Sequence, residues 1–370
     1  MEPRPHLAPS VIIRSRAGGV YSLSFISAGK LLSGSLKGEV SLWDLHDQRP
    51  DATWKVSDET VLSLLALAKG QQCLSQGKDG RVGLWDVETQ KASWEVGTGS
   101  CAFARLAVMP SSGGDPWESQ ASDVLFCSPL AEPHEIGVFD CRKATAPQQC
   151  SQLVLSAPIP CPGSTSPLST GMCMDLSAAP ALGPHALLAT YESTACCLWD
   201  LRSPSEPLSS CYAGDPRSPA ICSAMLWRKA WVACADGHIS QVKLRLEGLE
   251  ATRSSVRAAP APYRQSTGQP VYKEDKQGVN AFAVRPDLRL VAAARWDRRV
   301  ELFDAKTATS LGRLACHDGS VLCVTFDRQR GALAAGGEDG RIAAWGLFSE
   351  TYTGPWSSDP EAAKFCGVLP

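Results

Sequence analysis

Side chains able to do acid–base or nucleophilic chemistry are sparse in this 370-residue chain. The six histidines are His6, His46, His134, His185, His238 and His317. Only His317 stands in a repeated pattern, ahead of Asp339 and Trp345. A His–Asp dyad can act as a general base, but nothing around it completes such a site. There is no G-x-S-x-G, no G-x-x-x-x-G-K-[ST] and no H-E-x-x-H, and His134–Glu135 lacks the second histidine. GTGSCA, residues 97–102, is a broken glycine motif ahead of a strand rather than a helix, so it is no dinucleotide site. The fifteen cysteines are odd in number and none are spaced C-x-x-C. Several, such as Cys73, Cys127, Cys234 and Cys323, sit inside apolar strand-like runs. They read as reduced, buried small hydrophobes. No catalytic residue, metal or cofactor is expected.

Composition narrows the class. Hydrophobic residues are 44% of the chain and charged residues 20%, enough for a sizeable core. The net charge of −2 argues against nucleic-acid binding and against a polybasic membrane surface. No run approaches eighteen apolar residues, and the N-terminal MEPRPHLAPS has no apolar signal region. A nuclear or cytoplasmic protein, or one found in both, is expected.

The elements that would position any site are repeats. LLSGSLKGEVSLWDL, CLSQGKDGRVGLWDV and LAAGGEDGRIAAWGL each hold an apolar strand, a tight polar turn with Gly and a second strand ending in Trp43, Trp85 or Trp345. Upstream of each lies another alternating strand: VYSLSF, VLSLLAL or VLCVTF. Weaker copies end at Phe139, Trp199 and Phe303. Trp43 to Trp85 and Phe303 to Trp345 are each 42 residues, but Trp199 to Phe303 is 104, room for two copies. A degenerate one lies between, with Asp236 in the turn and Val242 where the aromatic belongs. That makes seven copies.

The pattern resembles the WD repeat, which implies an all-β, seven-bladed β-propeller. One domain is expected over residues 1–348, with residues 11–15 (VIIRS) supplying the outer strand that the last copy lacks. Insertions are expected at residues 110–122, 142–171 and 247–277, and a tail at 349–370. The resemblance also implies a role for His317, Asp339 and Trp345 as a buried hydrogen-bonded chain, although small residues at 334–337 replace its usual Ser/Thr member. A candidate partner surface lies at the repeat turns: Arg295, Trp296, Arg298 and Arg299, with Lys37, Lys78, Arg81 and Arg341 around them. Acidic residues share those turns, which suits a protein better than phosphates. Trp296 is either an exposed anchor between arginines or a ring packed on a neighbouring blade.

LSQGKDGRVGLWDV, AAARWDRRVELFD and LACHDGSVLCVTF…LAAGGEDGRIAAWGLF go beyond the generic repeat. They resemble the guanine-nucleotide-binding-protein-beta-subunit-like protein 1 family, which includes the fungal ASTRA-associated protein 1 and plant WD-repeat proteins needed for embryo development. The resemblance implies a non-enzymatic scaffold in a multi-subunit protein complex, tied to chromatin remodelling or to the maturation of phosphatidylinositol-3-kinase-related kinases. The alternative is a substrate receptor of a cullin-4 ubiquitin ligase, from the W-D-x-R motif Trp199, Asp200 and Arg202. A G-protein γ subunit is not an expected partner, because residues 1–19 hold Pro3, Pro5 and Pro9 and no heptads.

Overall fold

The computed structural model describes residues 8–110, 124–142, 153–156, 170–215, 217–245, 248–257 and 278–347. These form seven antiparallel sheets of four strands each. Blade 1 runs outward from Val20–Ser27 to Arg49–Lys55, blade 2 from Val61–Leu67 to Ala92–Gly97, and blade 3 from Ala107–Pro110 to Leu153–Leu155. Blade 4 runs from Cys173–Ala178 to Ser209–Tyr212, blade 5 from Ala220–Leu226 to Gly248–Arg257, and blade 6 from Val279–Val284 to Ser310–Ala315. Blade 7 starts at Val321–Phe326, and its fourth strand is Val11–Arg14. That strand pairs antiparallel with Arg341–Trp345, Val11 opposite Ala344 and Arg14 opposite Arg341. The ring is therefore closed by both ends of the described chain, and no blade is left with three strands.

Two-faced strands in a ring must bury side chains against both neighbours, and the core divides accordingly. It consists of seven apolar clusters, each shared by two adjacent blades. The third-strand aromatics Trp43, Trp85, Phe139, Trp199, Phe303 and Trp345 each fill the gap to the preceding blade. Blade 5 has Val242 there, and the cluster between blades 4 and 5 holds only Ala, Leu, Val and Cys among its buried residues. Trp231 on the second strand of blade 5 faces the other way. It meets Phe303 and Phe282 of blade 6 edge-on, with ring centroids 5.6 and 6.2 Å away.

The innermost strands are stitched by polar groups. In six blades the register slips by one after their first residue. The residue past the slip often reaches the next blade: Ser22 Oγ donates to the Val61 carbonyl at 2.9 Å, and the Cys222 and Cys323 thiols point at the carbonyls of Val279 and Val20, both 3.5 Å away. Between blades 4 and 5 the place is taken by Asp175, buried, which accepts from Ser223 N–H (2.6 Å), Ser223 Oγ (3.1 Å) and Leu176 N–H (3.0 Å). Burial pushes its pKa up, against these bonds and the positive charge of Arg105.

In six blades the turn between second and third strands holds a left-handed residue. Glycine serves in blades 1, 2, 5 and 7 (Gly38, Gly80, Gly237 and Gly340), whereas Thr194 and Arg298 adopt it in blades 4 and 6 at φ of 65° and 72°. Burial pushes the thiols of Cys73 and Cys127 up to about 12, so they are inert fillers of the core.

One boundary differs from expectation. Residues 248–257 were expected within an insertion and instead form the outer strand of blade 5, where Val242 faces Ala251 and Leu244 faces Leu249. Within the 142–171 stretch the sequence offers one strand candidate, QLVLS, and Leu153–Leu155 of it completes blade 3. The rest of that stretch, apart from residues 142, 156, 170 and 171, lies outside the described residues. So do residues 111–122, 258–277 and the 349–370 tail.

Candidate functional site

The turns between second and third strands all emerge at one end of the ring, here called the turn rim. The turns of blades 6, 7, 1 and 2 are neighbours along it and carry the residues singled out by sequence. Lys37, Arg81 and Arg298 are exposed, and Lys78, Trp296, Arg299 and Arg341 are partly buried. Acidic groups engage several of them. Arg81 lies 3.9 Å from Asp58 and 3.8 Å from Asp79. Arg341 pairs with Asp318 and donates to the Cys316 carbonyl at 3.0 Å. Exposed pairs of this kind contribute little stability, so the rim is a mixed-charge surface rather than a cationic one.

Arg295 does not belong to that surface. It is the last residue of Leu290–Arg295, 1% exposed, and its side chain turns into the blade. Its Nη1 donates to Glu301 Oε2 at 2.8 Å, and its Nε lies 3.3 Å from Asp297. Glu301, 2% exposed, accepts on its other oxygen from Ser310 Oγ (2.9 Å) and Arg313 Nε (3.2 Å). A guanidinium this deep needs a paired carboxylate, and Glu301 supplies it across the hairpin. Trp296, the next residue, is half-buried. Its ring leans on Gly278 and its Nε1 donates to Asn280 Oδ1 at 2.6 Å. Asn280 in turn donates to the Val321 carbonyl at 2.7 Å, so the Trp296 edge is tied into the seam between blades 6 and 7.

The histidine motif is present in part. His317 Nδ1 lies 3.1 Å from Asp339 Oδ1. Asp339 also accepts from Asp318 N–H (2.8 Å) and Arg341 N–H (3.0 Å). Burial opposes ionisation, but these bonds and His317 hold its carboxyl below the usual range. Gly337 sits against both side chains, where a Cβ would come closer than 3.0 Å. Trp43 and Trp85 donate to Ser33 and Ser75 at 2.8 and 2.9 Å. The equivalent of Ser33 in blade 7 is Ala335, so the serine link of the chain is missing there. His317→Ala is expected to lower stability by about 1–3 kcal/mol, by leaving a buried acceptor short of a donor, with partner binding per folded molecule unchanged. A variant that melts normally but no longer binds would make His317 a contact residue.

In the W-D-x-R motif, Trp199 is fully buried between blades 3 and 4. Arg202 is exposed, but Asp200 holds its guanidinium through bonds of 3.0 and 2.7 Å, as Asp140 holds Arg142. The bonds from Arg202 hold Asp200 below the usual carboxylate range.

Sequence reasoning missed Phe103 and Arg105, in the loop that enters blade 3. Phe103 is 54% exposed on the turn rim, with Lys78 Nζ 4.4 Å above its ring. Arg105 reaches the axis of the ring, where its Nη2 donates to the Leu322 carbonyl of blade 7 at 3.2 Å. No repeat signal marks either residue, because this loop lies outside the repeated strands.

A seven-bladed ring with aspartate turns and buried strand-end aromatics defines a WD-repeat β-propeller. The WD domain, G-beta repeat family matches residues 10–44 and 308–346. Across its length the chain is similar to guanine nucleotide-binding protein subunit beta-like protein 1 of Mus musculus, at 27% identity over 93% of this chain and 97% of that protein. It is also similar to ASTRA-associated protein 1 of Verticillium alfalfae (24% identity, 92% of this chain, 84% of that one) and of Schizosaccharomyces pombe (23%, 92% and 99%). Among solved structures, the Cps50 (Swd1) β-propeller domain of Myceliophteria thermophila matches with a TM-score of 0.66 at 19% identity, over 91% of this chain and 99% of that one. That likeness concerns the fold. None of these relatives favours the cullin-4 receptor reading.

Proposed function

We propose that this chain is a non-enzymatic WD-repeat scaffold within a multi-subunit protein complex of the ASTRA kind. It works in the nucleus, the cytoplasm or both, in chromatin remodelling or in the maturation of phosphatidylinositol-3-kinase-related kinases. The observation that carries this is the end-to-end likeness to ASTRA-associated protein 1, which spans all seven blades rather than a few generic repeats. The side chains agree with a binding role. Three buried pairs, His317–Asp339, Arg295–Glu301 and Arg285–Asp287, lie each within a single blade, and buried Asp175 is spent on the seam between blades 4 and 5. Among the described residues no group of three or more His, Cys, Asp or Glu could hold a metal, and no helix is long and apolar enough to cross a membrane. Proteins are the proposed partners. Nucleic acid and a G-protein γ subunit are not.

Affinity capture of the tagged full-length chain from cells tests this reading. Recovery of the co-chaperone subunits that mature these kinases is the expected outcome. Recovery of a cullin-4 adaptor or a γ subunit in their place would overturn it.

A further inference from the structure

We infer that the axial channel is a carboxylate receptor: Arg105 takes an aspartate or glutamate side chain from an extended segment of a protein partner, and Phe103 anchors an apolar residue beside it. The inference deepens the scaffold reading and rests on it.

Register locates Arg105. Val108 faces Phe126, which faces Phe139, as Ala66 faces Cys73 and Cys73 faces Trp85 in blade 2. Three residues before these anchors stand Arg105 and Ser63, and the same position holds Ser22, Asp175, Cys222 and Cys323 in other blades. Elsewhere it carries a short group, which in several blades bonds across the seam. The seam between blades 2 and 3 is held by Gln76 of blade 2, which donates to the Ala104 carbonyl at 3.0 Å and accepts from Leu106 N–H at 2.9 Å. Position 105, which by the same pattern would face the seam between blades 3 and 4, instead carries a long cation.

That cation lies at the axis. It leaves blade 3 and bonds to Leu322 on the innermost strand of blade 7, three blades away around the ring. Its charge also favours the ionised forms of Asp175, Cys222 and Cys323, on blades 4, 5 and 7. A guanidinium has five N–H donors. Among the described residues, the Leu322 carbonyl is the acceptor Arg105 finds, and no carboxylate lies within ion-pair distance of it. A partly desolvated, fold-held guanidinium with open donors is matched by one carboxylate in a two-point fork. A phosphate dianion fits less well, because Asp175 projects from the next blade.

The neighbourhood points to a peptide. Phe103, two residues earlier, is 54% exposed. Lys78 lies over the Phe103 ring and adds positive charge beside the apolar surface. An acidic residue flanked by apolar ones complements this combination of chemistry.

The probe is a random dodecapeptide library displayed on phage and selected against the full chain. Enriched sequences should pair Asp or Glu with a nearby aromatic or aliphatic residue. A synthetic binder should weaken on the order of tenfold or more against Arg105→Ala or Arg105→Gln, and also against Phe103→Ala, an exposed position whose loss leaves the fold intact. The same drop should follow in the unaltered protein when the peptide's Glu is replaced by Gln, which keeps the test valid should an Arg105 variant fold poorly. Absence of binders, enrichment without acidic residues, or equal affinity for the Gln peptide overturns the inference. Failure of the scaffold reading would show separately, as the wrong partners captured from cells while acidic peptides still select the channel.

Discussion

Replacing Glu301 with Ala should destabilise the protein by about 3–5 kcal/mol, the cost of leaving a buried guanidinium without its carboxylate. Arg295 and Glu301 are 1% and 2% exposed, and Arg313 shares the same acid. Asp297 lies 3.3 Å from Arg295 Nε, but its side chain is 23% exposed and cannot take over the deep end of the fork. Denaturant unfolding should show a lower midpoint at an unchanged slope. The paired change Arg295→Met with Glu301→Leu should recover most of the loss, since apolar residues of similar volume often replace a buried ion pair without penalty. If Glu301→Ala alone unfolds at the parent midpoint, water reaches Arg295 and the network is not a buried one.

A larger effect is expected from a chain lacking residues 1–16. Val11–Arg14 is the outer strand of blade 7 and carries Ile13 into the core shared with blade 1. Without it, Arg341–Trp345 becomes an open edge, and Ile342 and Ala344 lose cover. Insoluble protein, or protein without a cooperative melt, is the expected result. A soluble truncated chain that melts like the parent would show that blade 7 stands on three strands.

The ring was legible in the sequence because its signals repeat. A turn aspartate six residues before a strand-end aromatic marks Asp79 with Trp85, Asp297 with Phe303 and Asp339 with Trp345. Even blade 5, which lacks the aromatic, keeps Asp236 and enough length for a copy. What escaped has no period. Arg295 sits beside a polar turn and was expected to share its exposure, but strand alternation turns it inward. Its partner Glu301 was visible six residues later, inside VELFD, as a charge between the apolar Val300 and Leu302. Trp231 stands on the second strand rather than the third, so repeat matching passes over it while packing does not. Phe103 and Arg105 belong to a connection whose length differs from its counterparts, and only the closed ring brings Arg105 opposite Leu322.

The way blade 7 is built also sets a timetable. Val11 and Ala344 face each other although 333 positions separate them. At synthesis rates of roughly 5–20 residues per second, the first strand waits about 17 to 67 s on the ribosome before its partner exists. Throughout that interval the six earlier blades can assemble in order, each on the one before, while the strand that will lock them stays single. In a chain not yet closed, Val11–Arg14 and the edge at Arg341–Trp345 are both unpaired, and pairing them between two chains instead of within one would be a domain swap, an exchange that competes with closure only as chain concentration rises.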